Sequence, residues 1–160
     1  MSFFRSRSGI LFTGLSATLL AFILLWCSQT TFRAMSDWML YAVNLFAVLL
    51  LTMPAVLLRR VWIQAVVMIL ADALLISNLM YCRTYFTAIP ADSYFLAGNL
   101  RDFTASIFDS LRWGDIVLPL IALLTILLAY AARPVWCRRK SYVCLTMASG
   151  VIVAAGLLFR

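Results

Sequence analysis

The chain has 160 residues, of which 65% are hydrophobic, and its mean hydropathy is +1.01. A soluble domain of this length cannot hide so much apolar surface, because small globular proteins keep a large fraction of their residues at the surface. Lipid must therefore solvate most of the chain. The net charge is +7, and the basic residues flank apolar runs, so we expect anionic phospholipids as partners and no nucleic acid.

Residue types used in catalysis are scarce. The chain has no His and no Glu, and its six acidic residues are all Asp. Metal centres and general acid–base sites draw mainly on His, Glu, Asp and Cys, and the sequence has no metal-ligand spacing, nucleophile elbow or phosphate-binding loop. We therefore predict no catalytic residues, no metal site and no cofactor in this chain, which alone does not make a complete enzyme.

Five apolar segments are each long enough to cross about 30 Å of hydrocarbon as a helix. They predict an all-α, polytopic membrane helix bundle with transmembrane helices at 9–27, 38–58, 61–81, 116–132 and 142–159. The first segment is longer than the apolar part of a typical signal peptide, and no small-x-small cleavage site follows it. We therefore interpret it as an uncleaved anchor helix.

Aromatic and basic residues predict the orientation of the bundle. Tryptophan is typical of the headgroup level of a membrane. All five tryptophans lie where an apolar run meets a polar one: Trp26, Trp38, Trp62, Trp113 and Trp136. Alternate connections carry eight basic residues on one side and four on the other. Because positive charge favours the cytoplasmic side, we predict a multi-pass protein of the cell membrane with a cytoplasmic N-terminus and an extracellular or periplasmic C-terminus.

The connection 82–115 is the longest segment between predicted spans, and it is predicted to lie outside. Pro90 followed by Asp92 and Ser93 indicates a break and then a helix N-cap. Apolar residues recur after it at helical spacing: Leu96, Leu100, Phe103, Ile107 and Leu111. Residues 92–112 are therefore predicted to form an amphipathic helix in the outer interface. This helix either caps the bundle or serves as a lid or docking surface for an outer domain or a lipid substrate.

Asp72 is the one acidic residue inside a predicted span. An unpaired carboxylate in hydrocarbon is costly, so Asp72 should face the bundle interior, be protonated or have a partner. Arg83 lies about 16 Å farther along the same helix, which is too far for a direct ion pair. Two roles stay open for Asp72, a hydrogen bond between helices or a function in lipid handling or proton coupling. Asn44 and Gln64 are further polar residues within the spans.

The four cysteines divide by predicted side. Cys27 and Cys82 lie at the outer ends of spans, whereas Cys137 and Cys144 lie at or near the cytoplasmic side. Only the first pair could meet an oxidising compartment. The sequence leaves a Cys27–Cys82 disulfide and two free thiols as alternatives.

The end of the third predicted span carries a distinctive pattern. In the sequence DALLISNLMYCRTYF, which begins at residue 72, Ser77, Asn78, Tyr81 and Arg83 fit a Ser-Asn-x-x-Tyr-x-Arg pattern. This segment resembles the end of the third membrane helix in lipoteichoic acid synthase-like proteins of the sulfatase and alkaline-phosphatase superfamily. The downstream SLRWGDI, residues 110–116, is similar to the start of that family's fourth helix. The specific likeness covers about residues 72–116, and the five-helix architecture covers the whole chain.

The resemblance implies an activity that this chain does not carry by itself. Members of that family have an extracellular catalytic domain after the fifth helix, with a Thr nucleophile and a divalent, typically manganese, metal ion. That domain transfers a phosphoglycerol or phosphoethanolamine headgroup from a lipid to an acceptor. The resemblance therefore implies that residues 1–160 are the membrane-anchoring domain and that the catalytic domain expected after residue 160 is missing.

The resemblance also implies where the membrane domain makes its contacts. Asn78, Tyr81, Arg83 and Arg101 are expected to contact a lipid headgroup or the missing outer domain. Guanidinium groups suit phosphate, so Arg83 and Arg101 could pair with a lipid phosphate. The alternative for both is that they are ordinary interfacial arginines.

Two other functions stay open. One is a complete small transporter subunit with Asp72 as its coupling residue, which would need a polar path through the bundle. The other is a non-catalytic scaffold within a membrane complex. The predicted outward C-terminus favours an anchoring domain, because a secreted catalytic domain would have to begin there.

Overall fold

The structure is a computed structural model that describes residues 6–29, 38–86, 89 and 109–158. Its regular elements are all helices, and the described residues contain no strand. Five helical segments are long and apolar enough to cross a membrane. The prediction of an all-α protein with five candidate spans is therefore confirmed.

The five long helices occupy nearly the predicted segments. Their bounds are α1 Arg7–Gln29, α2 Trp38–Leu58, α3 Val61–Tyr85, α4 Val117–Ala131 and α5 Arg139–Leu158, and a short 3-10 helix, Trp113–Ile116, leads into α4. The difference that matters is at α3, which continues beyond the predicted 61–81 to Tyr85. Arg83 therefore lies on helical backbone, which fixes the direction in which its side chain leaves α3.

Four helices form the bundle, and the fifth is attached to its side. α1 and α3 pack against each other and against both α2 and α4, whereas α5 packs mainly against α2. α1 and α4 approach closely at Gly14, where an added methyl group would overlap the side chain of Thr125. Glycine has no Cβ and so permits this approach, as small residues commonly do between membrane helices.

Two apolar layers fill the interior, and each takes one buried residue from each of α1, α2, α3 and α4. The inner apolar layer, toward the predicted cytoplasmic end, contains Leu11, Ala55, Val61 and Ala129. The middle apolar layer lies farther out and contains Leu15, Val48, Met68 and Ala122. The order of these residues along the chain shows that α1 and α3 run in one direction and α2 and α4 in the other.

A tight turn sets the register between α2 and α3. Arg59 has a left-handed backbone, with φ 55°, and the Arg60 N–H donates to the Ala55 carbonyl at 3.1 Å. This is the hydrogen bond of a Schellman helix ending, which reverses the chain within a few residues. α2 and α3 are therefore antiparallel neighbours along their whole length.

Backbone and serine hydrogen bonds join the predicted cytoplasmic end. The Arg7 N–H donates to the Val135 carbonyl at 3.0 Å, and the Cys137 N–H donates to Ser8 Oγ at 3.1 Å. Ser6 Oγ caps α1 by accepting from the N–H of Gly9 at 3.1 Å. The connection between α4 and α5 is thus held against the start of α1.

A buried pair of hydroxyl groups attaches α5 to α2. Tyr142 Oη and Thr52 Oγ1 are hydrogen-bonded, and both side chains are buried. Thr52 Oγ1 also donates to the Val48 carbonyl at 2.6 Å, so the Tyr142 hydroxyl is the donor to Thr52. Buried polar groups keep their partners, and this bond therefore limits how α5 can rotate on α2.

Substituting Tyr142→Phe should destabilise the folded protein by about 0.5–1.5 kcal/mol, because it removes one buried hydrogen bond and little volume. The measurement is reversible unfolding in mixed detergent micelles. Tyr130→Phe is the matched control, since Tyr130 is exposed on α4 and its substitution should change stability little. Equal effects of the two substitutions would contradict the role given to the Tyr142 hydroxyl.

Of the predicted amphipathic segment 92–112, residues 92–108 lie outside the described residues, so that helix stays a prediction. Cys27 and Cys82 are both free thiols in the structure. Of the two alternatives for this pair, the structure therefore contains the free thiols.

Candidate functional site

The last turn of α3 carries an arginine whose side chain is buried in the protein. Arg83 Nη2 donates to Asp115 Oδ1 at 2.5 Å, and Arg83 Nη1 donates to Asp115 Oδ2 at 2.6 Å. The two side chains are 7% and 1% exposed. Arg83 and Asp115 therefore form a bidentate ion pair at the predicted outer end, the geometry that makes arginine–carboxylate pairs strong.

Two further acceptors surround the same guanidinium. Arg83 Nε donates to Gln29 Oε1 at 3.1 Å, and Nη1 also donates to the Ser110 carbonyl at 2.8 Å. Four hydrogen bonds from one arginine thus join the last residue of α1, the last turn of α3 and the chain that leads into α4. We call Gln29, Arg83, Ser110 and Asp115 the outer clasp.

The backbone before α4 positions the carboxylate of the clasp. Asp115 is the third residue of the 3-10 helix, and its N–H donates to the Arg112 carbonyl at 2.9 Å. In return, Asp115 Oδ2 accepts from the Arg112 N–H at 2.9 Å. This reciprocal pair of bonds holds the Asp115 side chain toward the bundle, where Arg83 meets it.

The buried charges depend on one another. Removing an ion from water costs several kcal/mol, and a buried pair recovers that cost only with good geometry and further hydrogen bonds. The clasp has both, because each carboxylate oxygen accepts from Arg83 and the guanidinium also reaches Gln29 and Ser110. The clasp is therefore suited to holding three chain segments in one arrangement.

The sequence pattern places two other residues on α3 below the clasp. Asn78 Oδ1 accepts from the N–H of Ile89 at 3.3 Å, and Asn78 Nδ2 donates to the Leu74 carbonyl at 3.1 Å. The Tyr81 ring packs against that of Tyr85, with centroids 4.5 Å apart. Asn78 thus holds the start of the outer connection against α3, while Tyr81 is part of an aromatic pair.

Most N–H donors of Arg83 are already directed at protein acceptors. A guanidinium has five N–H donors, and four are directed at protein acceptors in the case of Arg83. A contact between Arg83 and a lipid phosphate stays a prediction, and it would have to use the one remaining N–H. Arg101 lies outside the described residues.

Exposed aromatic side chains flank the clasp. Phe86, directly after α3, is 87% exposed, and Trp113, at the start of the 3-10 helix, is 90% exposed. The side chain of Arg112, beside Trp113, is also exposed. Aromatic and basic side chains together are typical of the headgroup level of a membrane, so this surface suits a lipid interface.

Asp72 lies deep in the bundle, away from the clasp. It is 6% exposed, and its Oδ1 atom has no hydrogen-bond partner among the described residues. Arg83 does not reach it, which agrees with the separation along α3 expected from the sequence. Within the described residues, no three His, Cys, Asp or Glu side chains are grouped to hold a metal ion.

Sequence reasoning missed Gln29 and Asp115 as members of the site. The available signal was a single arginine at the outer end of one span and a single aspartate at the outer start of another. Two opposite charges at the same predicted depth, each flanked by apolar residues, favour an ion pair because neither is stable alone there. The role of Gln29 has no comparable signal in the sequence.

Comparisons of the chain with protein-family models, curated proteins and solved structures gave no match.

Removing one partner of the clasp should be strongly destabilising, because the other charge is left buried and unpaired. We expect Asp115→Asn to lower the free energy of unfolding by about 3–5 kcal/mol. Arg83→Lys should also destabilise, since an ammonium group cannot make the bidentate contact and reach Gln29 as well. Reversible unfolding in mixed detergent micelles measures both effects.

Arg112→Gln is the matched control for these substitutions. Arg112 contacts Asp115 through its backbone N–H, which the substitution keeps, and its side chain is exposed. The change in stability should therefore stay within about 0.5 kcal/mol. A similar loss in Arg112→Gln and Asp115→Asn would show that net charge at this end matters, and would contradict a specific clasp.

Proposed function

We propose that this chain is the membrane-anchoring domain of a lipoteichoic acid synthase-like protein of the sulfatase family. In this proposal the domain holds an extracellular catalytic domain at the outer surface of the cell membrane. The catalytic domain transfers a phosphoglycerol or phosphoethanolamine headgroup from a membrane lipid to an acceptor. The chain itself provides anchoring and positioning, and its membrane partners are anionic phospholipids.

The outer clasp is the observation that carries this proposal. The resemblance rests on two separate stretches, one ending at Arg83 and the other containing Asp115. In the structure the charged residues of these two stretches form one buried ion pair. Two stretches whose charged residues pair with each other support the resemblance more strongly than either stretch alone. Each buried charge needs the other as its partner.

The clasp also suits a membrane domain that supports a catalytic domain at its outer face. It fixes the ends of α1 and α3 and the start of α4 relative to each other. The exposed aromatic residues Phe86 and Trp113 flank it at the level where lipid headgroups would lie. Helix ends held in this way are suited to support an outer domain that acts on lipid headgroups.

The predicted orientation supports the proposal independently of the resemblance. With five predicted crossings the two ends of the bundle are on opposite sides, and more of the positive charge lies on the N-terminal side. The end of α5 is then on the outer side, where a secreted domain would follow. The metal ion and the Thr nucleophile implied by the family would belong to that domain, and no step of the reaction is assigned to residues of this chain.

Reporter fusions after Leu158 test the orientation. Alkaline phosphatase is active only when exported, so a fusion there should be active, and a fusion in the 133–138 connection should be inactive. Fluorescent-protein fusions at the same two positions should give the opposite pattern, because that reporter folds in the cytoplasm. Activity of the phosphatase only at 133–138 would reverse the orientation and remove the basis for an outer domain.

The coding sequence after residue 160 tests the second part of the proposal. The reading frame should continue through a domain with the Thr nucleophile and metal ligands of the sulfatase family. A stop codon directly after Arg160, combined with an outward C-terminus, would keep the topology and exclude an attached catalytic domain.

A further inference from the structure

A level of polar side chains lies inside the bundle, one turn farther out than the middle apolar layer. Asn44 precedes Val48 by four residues in α2, and Asp72 follows Met68 by four residues in α3. Val48 and Met68 pack together in that layer, and their helices are antiparallel. The same register therefore brings Asn44 and Asp72 to one level, about 6 Å beyond the Val48–Met68 contact.

Two oxygen atoms at this level have no partner in the described part of the chain. Asn44 Oδ1 and Asp72 Oδ1 are both shielded from solvent, and neither accepts a hydrogen bond. Asp72 as a whole is 6% exposed, and its Oδ1 atom is shielded from lipid headgroups and bulk water. With Asp72 ionised, its oxygen and that of Asn44 are both acceptors and cannot bond to each other, whereas a shared donor between them would satisfy both.

α1 contributes a third polar group to the same level. Thr18 follows Leu15 of the middle apolar layer by three residues, and α1 runs parallel to α3. Thr18 is fully buried, and its hydroxyl donates to the Gly14 carbonyl at 3.2 Å, which is long for a hydroxyl donor. A small rotation about its side-chain bond would let this hydroxyl donate to another acceptor instead.

Apolar residues lie on the other sides of these polar groups. Leu118 of α4 precedes Ala122 by four residues, so the antiparallel register places it near Asp72, and it is fully buried. Val48 and Met68 close the inner side. The Thr18 side chain and the Oδ1 atoms of Asn44 and Asp72 are therefore shielded from solvent beside apolar residues.

We propose that Thr18, Asn44 and Asp72 form an internal site that binds a water molecule between α1, α2 and α3. The water donates one O–H to Asn44 Oδ1 and the other to Asp72 Oδ1, and its oxygen accepts from the Thr18 hydroxyl. Three protein partners are the usual number for a buried water. This inference does not depend on the proposed anchoring function, since it concerns the interior of the bundle alone.

Water fits these three groups better than a metal cation does. Hard cations such as Ca²⁺ and Mg²⁺ take about six or more oxygen ligands. α1, α2 and α3 are continuous helices at these residues, so their backbone carbonyls are engaged within the helices. Three side-chain oxygens, of which one belongs to a donor hydroxyl, are too few for a cation of that kind and sufficient for water.

Water-edited solid-state NMR tests the proposal on uniformly ¹³C,¹⁵N-labelled protein in lipid vesicles. Magnetisation that starts on water should reach the side-chain carbonyl carbons of Asp72 and Asn44 sooner than the methyl carbon of Met68. Met68 is the internal control, because it is buried on the same face of α3 one turn away. Equally slow transfer to all three side chains would overturn the proposal.

Substitutions then show that the water is shared. Asn44→Leu should abolish the fast transfer to Asp72, because one of the partners that hold the water is lost. Thr18→Val, a smaller change that keeps the shape of the side chain, should reduce it as well. Val43→Leu is the matched control, because Val43 is exposed on α2 beside Asn44, and it should leave the transfer unchanged. Fast transfer to Asp72 that survives both polar substitutions would overturn a common site.

The same spectra distinguish a water from an ion. Vesicles prepared with choline as the only added cation should give the same Asp72 carboxyl chemical shift as vesicles in sodium or potassium salt. A shift that follows the sodium or potassium concentration would assign the site to a monovalent cation and overturn the assignment to water.

Discussion

Hydrocarbon offers no hydrogen bonds, so each polar side chain inside these helices must find its partner within the protein. The structure contains several outcomes of this constraint. Thr52 and Tyr142 satisfy each other and join two helices, and Arg83 and Asp115 neutralise each other at the predicted outer end. Gln64 is fully buried with an amide that has no partner among the described residues. The paired groups hold helices together, whereas the unpaired ones mark interior positions without a hydrogen-bond partner among the described residues.

The number and approximate ends of the helices could be predicted because the length of an apolar run is a local property of the sequence. The partners of the polar residues could not, since they depend on how the helices pack. Arg83 was expected near lipid or an outer domain, and its Asp115 partner lies beyond a long connection. The shared level of Asn44 and Asp72 along the bundle follows from the tight turn at Arg59, and an arginine in the sequence does not predict the left-handed backbone of that turn. Gly14 is a further example, because only the position of Thr125 shows why that glycine is needed.

The two ends of the bundle are built by different interactions. At the predicted cytoplasmic end, backbone groups and serine hydroxyls join the start of α1 to the α4–α5 connection, and the nearby arginines take no part in a buried pair among the described residues. At the other end, the buried Arg83–Asp115 ion pair holds the chain segments together. Exposed basic residues remain available to anionic headgroups at the first end, whereas at the second the buried Arg83 is neutralised by Asp115. This difference agrees with the predicted orientation, in which the more basic end faces the cytoplasm.

The ion pair between Arg83 and Asp115 also closes the chain between them into a loop with fixed ends. The entropy lost on closing such a loop grows only slowly with its length, by about 0.6 kcal/mol for each doubling. Residues could therefore be added to or removed from this connection with little effect on the bundle. Related proteins could in this way carry outer segments of very different size on the same membrane helices, and the surface presented outside could diversify while the support beneath it stayed the same.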